Sequence, residues 1–255
     1  MSELVETALE GRLLRLTLNR PEKRNALNIA LCRALVEELD RAEADRHIGG
    51  VLLAANGPAF CAGMDLDEMA SGPDLDEMND AHEQLFTFGA RITKPVVAAV
   101  DGPALAGGTG LAANCHIVAA SDRAAFGLTE IRLGLWPFTI FRAVSLAVGE
   151  RRAVELSLTG RVFGASEALE FGLIHYLEPD PLARALEIAR ELSSASLTAV
   201  RSGLYFVQET RGKAWKQAGE IAARVRKQVF TGADVKEGLK AFHGKHPPKW
   251  PSIAS

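Results

Sequence analysis

Hydrophobic and polar positions change period several times along the chain, and each change marks an element. Val5–Leu9 and Leu13–Leu18 read as strands, the second setting Leu14, Leu16 and Leu18 against Arg15 and Thr17, and Glu10-Gly11 between them predicts a locally paired hairpin. After Asn19-Arg20-Pro21 the spacing turns helical: Ile29–Ala44 places Leu31, Leu35, Val36 and Leu39 on one face. Gly50–Ala54 is continuously apolar, as a buried strand is, and Asn56-Gly57-Pro58 turns the chain beyond it. The polar run Ser71–Met78 predicts a mobile surface loop, and Asp80–Ile92 a helix carrying Leu85, Phe88 and Ile92 that Lys94-Pro95 closes. Ile117–Ala120 and Ala125–Phe126 read as short strands. Helices then dominate over 141–147, 151–158, 166–170, 181–192, 197–208, 215–230 and 235–242, interrupted by a strand at Leu173–Leu177. The loss of strands near Ser193–Ser196 predicts a boundary between a core, 1–195, and a helical C-terminal region, 196–255. The basic run RVRK at 224–227 reads as a solvated helix face.

One stretch organises the rest. Pro95–Gly110, PVVAAVDGPALAGGTG, is a short apolar run, an Asp-Gly-Pro break, and then small residues with Gly107, Gly108 and Gly110. It reads as a buried strand leaving a sheet into a turn where backbone comes close to whatever lies above it. Helix-compatible residues follow at Leu111–Cys115, so the glycine amides are expected at a helix N-terminus, where unpaired donors favour a developing negative charge. Gly63, in AFCAGMDLDEM, marks a second glycine turn after a strand. Glu130, in GLTEIRLGLWP, sits among apolar neighbours, and a carboxylate in such a setting has either a partner, here Arg132 or Arg142, or a chemical role.

Composition narrows the class without choosing a function. With 255 residues, 47% hydrophobic and 24% charged, the chain can bury a sizeable core, and a formal net charge of −3 gives no reason to expect nucleic acid. The three cysteines, Cys32, Cys61 and Cys115, are odd in number and lie in apolar context, as free thiols of a reducing compartment do. Neither metal-ligand spacing nor a long apolar span occurs, so a cytoplasmic protein without membrane contact is expected.

Five blocks in order, NRPEKRNALN (19–28), GPAFCAGMDLDEM (57–69), KPVVAAVDGPALAGGTGLAANC (94–115), FGLTEIRLGLWP (126–137) and LTGRVFGASEALEFGLIHYL (158–177), closely resemble landmarks of the enoyl-CoA hydratase/isomerase, or crotonase, superfamily. The resemblance implies an α/β fold, a crotonase-like spiral of ββα units followed by a C-terminal helical trimerisation region. It also implies assembly as a homotrimer or dimer of trimers, and an acyl-CoA thioester as ligand, with no cofactor beyond the CoA of the substrate. Carried over by position, the oxyanion donors are the amides of Met64 and Gly107. Lys23, Arg24 and Ala26 border the CoA channel, Ala62 and Asp65 lie near the adenine through backbone, and Phe242 with Lys245 close over the nucleotide, often from a neighbouring subunit.

The sequence departs from the hydratase pattern at the carboxylates. Similar hydratases use two glutamates to position a water; the second is present as Glu130, but the first falls on Gly110. A glycine cannot reach a proton, so one carboxylate remains, as in the related double-bond isomerases. Trp136, Pro137, Phe138 and Phe141 stand where hydratases have small residues, and read either as core or as rings that exclude water and raise the pKa of Glu130. Glu83, beside His82, falls where a dehalogenase branch carries a catalytic histidine, and one of the two is a possible further acid/base. The expected activity is enoyl-CoA double-bond isomerisation through a thioester enolate with Glu130 as acid/base. Hydration of 2-enoyl-CoA, or acyl-CoA binding without turnover, are the alternatives.

Overall fold

The computed structural model describes residues 4–253. In chain order the elements are β1 (Val5–Glu10), β2 (Leu13–Leu18), α1 (Ile29–Ala44), β3 (Gly50–Ala55), α2 (Leu66–Ala70), α3 (Leu75–Phe86), β4 (Val96–Val100), β5 (Ala104–Leu105) and α4 (Gly107–Asn114). There follow β6 (Ile117–Ala120), β7 (Ala125–Gly127), α5 (Phe138–Val148), α6 (Glu150–Thr159), β8 (Val162–Gly164), α7 (Ala165–Phe171) and β9 (Tyr176–Leu177). The chain ends in α8 (Pro181–Ser193), α9 (Leu197–Thr210), α10 (Trp215–Phe230) and α11 (Ala233–Gly244).

A six-stranded sheet has the order β1-β2-β3-β4-β6-β9, in which the β1–β2 hairpin is antiparallel and every other pairing is parallel. A parallel strand buried on both faces has no polar side to show, which is why β3 and β4 read as unbroken apolar runs. Val51, Leu53, Val96 and Ala98 pack with Leu31, Leu35 and Leu39 of α1, while Leu52, Ala54, Val97 and Ala99 meet Ala185, Ile188 and Ala189 of α8. Lys94, fully buried before β4, donates to the carbonyls of Ala42 and Asp45 at the C-terminal end of α1, where a cation complements the helix dipole. A second sheet, β5-β7-β8, lies beside the site described below.

Several boundaries differ from those expected. The proposed loop at 71–78 shrinks to 71–74, because the Asp74 carboxylate caps the amides of Asp76 and Glu77 and the polar run becomes the first turn of α3, with Met78 buried. The helix expected to reach Ile92 stops at Phe86 and is followed by a 3₁₀ turn at Phe88–Ala90. Helix α4 starts at Gly107 rather than Leu111, so GGTG is its first turn. The strand expected at Leu173–Leu177 is only Tyr176–Leu177, and β8 went unforeseen because three residues are too few to show a period.

The last three helices are tied together and to the core by side chains. Arg201 of α9 bridges Glu43 at 2.9 Å, and Gln208 donates to the Ile92 carbonyl at 2.7 Å. Buried Asp234 accepts from the hydroxyls of Ser196 and Ser252, each at 2.5 Å, and from the Ser252 amide at 2.9 Å. Burial alone would push its pKa up, but these hydrogen bonds outweigh that and hold it below the ordinary carboxylate range. Asp234→Ala leaves both serines without their acceptor and is expected to cost about 1–3 kcal/mol, read as a lowered midpoint in urea unfolding at pH 7. A depressed carboxyl contributes stability above its unfolded-state pKa, so the difference between wild type and variant should shrink as the pH falls below about 3.9.

Candidate active site

Two glycine turns meet at the start of α4. Cys61 bridges Ala104 in parallel: its amide donates to the Pro103 carbonyl at 3.2 Å, and its carbonyl accepts from the Leu105 amide at 3.0 Å. Gly63, at φ +94°, leaves no room for a side chain; a Cβ there would stand 2.8 Å from the Ala106 Cβ and 3.3 Å from the Gly107 amide nitrogen. From the other side, a Cβ on Gly108 would lie 2.2 Å from the Cys61 carbonyl oxygen. The Leu27 amide donates to Gly63 at 2.7 Å and the Leu27 carbonyl accepts from Asp65 at 3.0 Å, which fixes Met64 between them. The Met64 amide has no protein acceptor among the described residues, and the Gly107 amide, opening α4, has none within its helix. Two adjacent main-chain donors are thus left for a ligand.

The turn is held under tension. Ala106 has φ +50° and ψ −117°, a conformation that residues with a Cβ rarely adopt. Its amide donates to the Gly127 carbonyl at 2.8 Å, and the buried Thr109 hydroxyl lies 2.7 Å from the Ala104 carbonyl while accepting from the Gly127 amide at 3.0 Å. Thr109 is therefore a clasp between β5, α4 and β7.

From that clasp β7 leads into a 3₁₀ turn, Thr129–Leu133, which carries Glu130 and closes on Gly134 at φ +74°. Glu130 Oε2 is buried and has no hydrogen-bond partner, and neither Arg132 nor Arg142 pairs with it. The ion-pair alternative is not what the structure contains. Burial pushes the Glu130 carboxyl up from its ordinary value, with only its own backbone amide acting the other way. Trp136 packs on Phe141 at 5.9 Å between ring centroids and is half-buried, but Phe138 is 80% exposed, so it does not form the dry wall expected of it.

The space above Gly110 is filled. A Cβ on Gly110 would stand 2.3 Å from Cγ2 and 2.6 Å from Cβ of Ile140, and 3.3 Å from Cε1 of Phe86. Ile140 of α5 occupies the volume that a position-110 side chain would need. On α3, Glu83 points to solvent and His82 is buried, which corrects the choice of Glu83 as the further acid/base: adjacent helical residues face different ways. The Nε2 of His82 has no partner; burial lowers its pKa, and a backbone hydrogen bond with Leu27 partly offsets this. Phe86 and Ile140 were not singled out beforehand. Their signal was the missing side chain at 110, a hole that something must fill.

The residues expected along the CoA channel come together in part. Ala62 donates to the Arg24 carbonyl at 3.0 Å and Ala26 to Lys23 at 3.0 Å, laying the 23–27 loop beside 62–65. Arg24 and Asn25 both take φ +54° to make that loop. Lys23 pairs with Asp67 at 2.5 Å on the surface. The Asp65 side chain is committed to structure: it caps α2 and pairs with Arg20 at 2.5 Å, leaving only its backbone to face a ligand. Phe242, 79% exposed, and Lys245 lie at the end of α11, which packs on α10 and the Pro251–Ile253 turn. Among the described residues no cluster of three or more His, Cys, Asp or Glu could hold a metal, and no helix is long and apolar enough to cross a membrane.

A spiral α/β core that presents two free amides and a buried carboxyl defines a crotonase-fold protein. The sequence matches the enoyl-CoA hydratase/isomerase family over residues 9–252, and the chain belongs to that family. It is 37% identical to the enoyl-CoA hydratase EchA19 of Mycobacterium tuberculosis, over 94% of this chain and 93% of that one. It is 36% identical to the 2,3-dehydroadipyl-CoA hydratase of Escherichia coli, over 97% and 98%. Among solved structures, an enoyl-CoA hydratase of Mycobacterium smegmatis superposes with a TM-score of 0.92 at 30% identity, covering 98% of this chain and 99% of that one.

The contact distances put the tightest steric constraint at Gly108 rather than Gly107, whose added Cβ would meet only the tips of Leu27 and Phe86 at 3.0 and 3.1 Å. Gly108→Ala must push two backbones apart, and is expected to cost about 1–3 kcal/mol in thermal unfolding and to abolish activity. Gly107→Ala should retain most of the stability; an equal loss in both variants would refute the ranking.

Proposed function

We propose that the protein acts on an acyl-CoA thioester, holding its carbonyl oxygen between the amides of Met64 and Gly107 and using Glu130 as the side-chain acid/base. The reaction for which these groups suffice is migration of a double bond from 3-enoyl-CoA to 2-enoyl-CoA. Glu130 takes a proton from C2, the electrons move into the thioester oxygen, and the same carboxyl returns the proton at C4. Each preorganised donor is worth about 3 kcal/mol of barrier, because the charge on the oxygen grows only in the transition state. A raised Glu130 pKa suits a group that must both take and give a proton near neutrality. The observation that carries this reading is Ile140 standing in the volume above Gly110: a second carboxylate there has neither a side chain nor room.

Hydration of 2-enoyl-CoA is the second reading, favoured by the hydratase names of the relatives. It requires Glu130 to activate water alone, or with His82, whose free Nε2 is the other unpartnered atom near this shell. In either case Arg24, exposed beside the buried residues 25–27, meets the CoA phosphates. Phe242 and Lys245 are placed to close over the nucleotide of a neighbouring copy in a trimer or a dimer of trimers.

Supplying 3-enoyl-CoA and 2-enoyl-CoA separately tests the choice. Isomerisation of the first that falls about 10²–10⁴-fold in Glu130→Gln supports the lead, and hydration of the second at the faster rate replaces it. The same variant should melt higher than wild type at alkaline pH. A carboxyl whose folded pKa is raised costs stability when ionised, so the gain grows as the pH rises through the folded value and vanishes below the unfolded value of about 4.3. Gly110→Glu alone should destabilise through overlap with Ile140. Combined with Ile140→Gly it should fold and show increased hydration relative to isomerisation, measured as 3-hydroxyacyl-CoA formed from 2-enoyl-CoA.

A further inference from the structure

At the C-terminal end of α4, away from the glycine turns, the described residues line a cavity of about 590 Å³. His116, His175, Arg142, Arg211 and Asn114 line it, and no aspartate or glutamate does. The Nδ1 of His116 accepts the Val96 amide at 3.0 Å, and that of His175 accepts the Val118 amide at 3.1 Å. A ring whose Nδ1 accepts carries its proton on Nε2, so both imidazoles are fixed as donors on their other side. Arg142 and Arg211 form no ion pair among the described residues. The Arg211 guanidinium is close enough to help depress His116, whose pKa is driven down to about 4, chiefly by burial. The cavity is thus rich in donors and lacks any charged acceptor of its own.

Its position relates it to the thioester site. Helix α4 carries the Gly107 amide at one end and Asn114 at the other, about 10 Å apart at 1.5 Å per residue. The ring of Phe86 stands over Gly107 and Gly110, beside Ile140, and also lines the cavity, so that ring borders both spaces. Phe138 and Leu146, exposed on α5 one turn to either side of Arg142, give apolar flanks to that guanidinium.

We infer that this cavity receives a carboxylate at the far end of the acyl chain, making the preferred substrates thioesters of ω-carboxy acids. The inference rests on the thioester reading above. A methyl terminus would leave the arginines to water and gain nothing from the imidazole donors. A carboxylate accepts from both kinds of donor, and guanidinium forks match its geometry. Its methylenes run past Phe86 and Phe138.

The test is binding, which does not depend on turnover. Suberyl-CoA and octanoyl-CoA, equal in length and differing in the terminal group, are titrated calorimetrically into wild type and into an Arg142→Gln/Arg211→Gln variant. The expected result is that suberyl-CoA binds wild type at least about ten-fold more tightly, and that the advantage disappears in the variant while octanoyl-CoA affinity is unchanged. Equal affinities in wild type, or a preference that survives the double substitution, overturn the inference and leave the thioester reading intact. Association of copies across this face would also erase the preference and counts against it. Failure of both thioesters to bind overturns the thioester reading itself.

Discussion

The structure depends on one close approach: two backbone turns touch where side chains would keep them apart. Gly63 faces Ala106 and the Gly107 amide, and Gly108 faces the Cys61 carbonyl, all at distances a Cβ would violate. Everything around the contact serves to hold it. Leu27 grips Gly63 and Asp65 from one side, Thr109 clasps β5 to β7 from the other, and Ala106 stays in a strained conformation because its amide and carbonyl are both engaged. Strain of this kind persists only where surrounding hydrogen bonds over-determine the backbone. The outcome is a pair of amides fixed before any ligand arrives, which is what electrostatic stabilisation of a developing oxyanion requires.

Around this fixed pair, the variable element is what lies on α4 and α5. Gly110 and Ile140 form a complementary pair, with nothing on one helix and a branched side chain pressed into that space from the other. The pairing keeps the interior filled with apolar atoms at this point. Glu130 lies on the 3₁₀ turn after β7, with Oε2 buried and unpaired. An unpaired buried carboxyl is a cost to the folded state, and such costs concentrate at functional positions.

Much of this was legible in the sequence, for reasons that differ between elements. The parallel strands showed as unbroken apolar runs because both faces are buried, and the hairpin showed because Gly11, at φ +61°, sits in the turn between two short strands. The glycine turns and Glu130 stood out because each breaks the pattern of its neighbours. What stayed hidden needed three dimensions. The polar stretch before α3 looked like loop because capping carboxylates and solvent-facing residues share the same composition. Which of His82 and Glu83 turns inward depends on the phase of α3, and that phase is set by packing against α1. Ile140 over Gly110 is a contact between residues thirty positions apart, which no local period encodes. The donor-lined cavity draws on segments as distant as Asn114 and Arg211 and had no counterpart in the sequence reading.

A site built from main-chain amides changes how relatedness bears on function. Main-chain donors put almost no demand on side-chain identity: the two amides left without a protein acceptor among the described residues belong to a methionine and a glycine. What holds such amides in place is the backbone path, meaning the glycines, the Thr109 clasp and the sheet behind them. A reaction on a bound ligand, by contrast, is decided by which side chains reach it, and a few positions can change that without altering the backbone path. Identity of 37% to a hydratase, spread over nearly the full length, therefore shows the family and does not by itself choose between isomerisation and hydration. At positions 110 and 140 this chain has no side chain on α4 and an aliphatic one pressed over it from α5, a local arrangement that an average over the chain does not report.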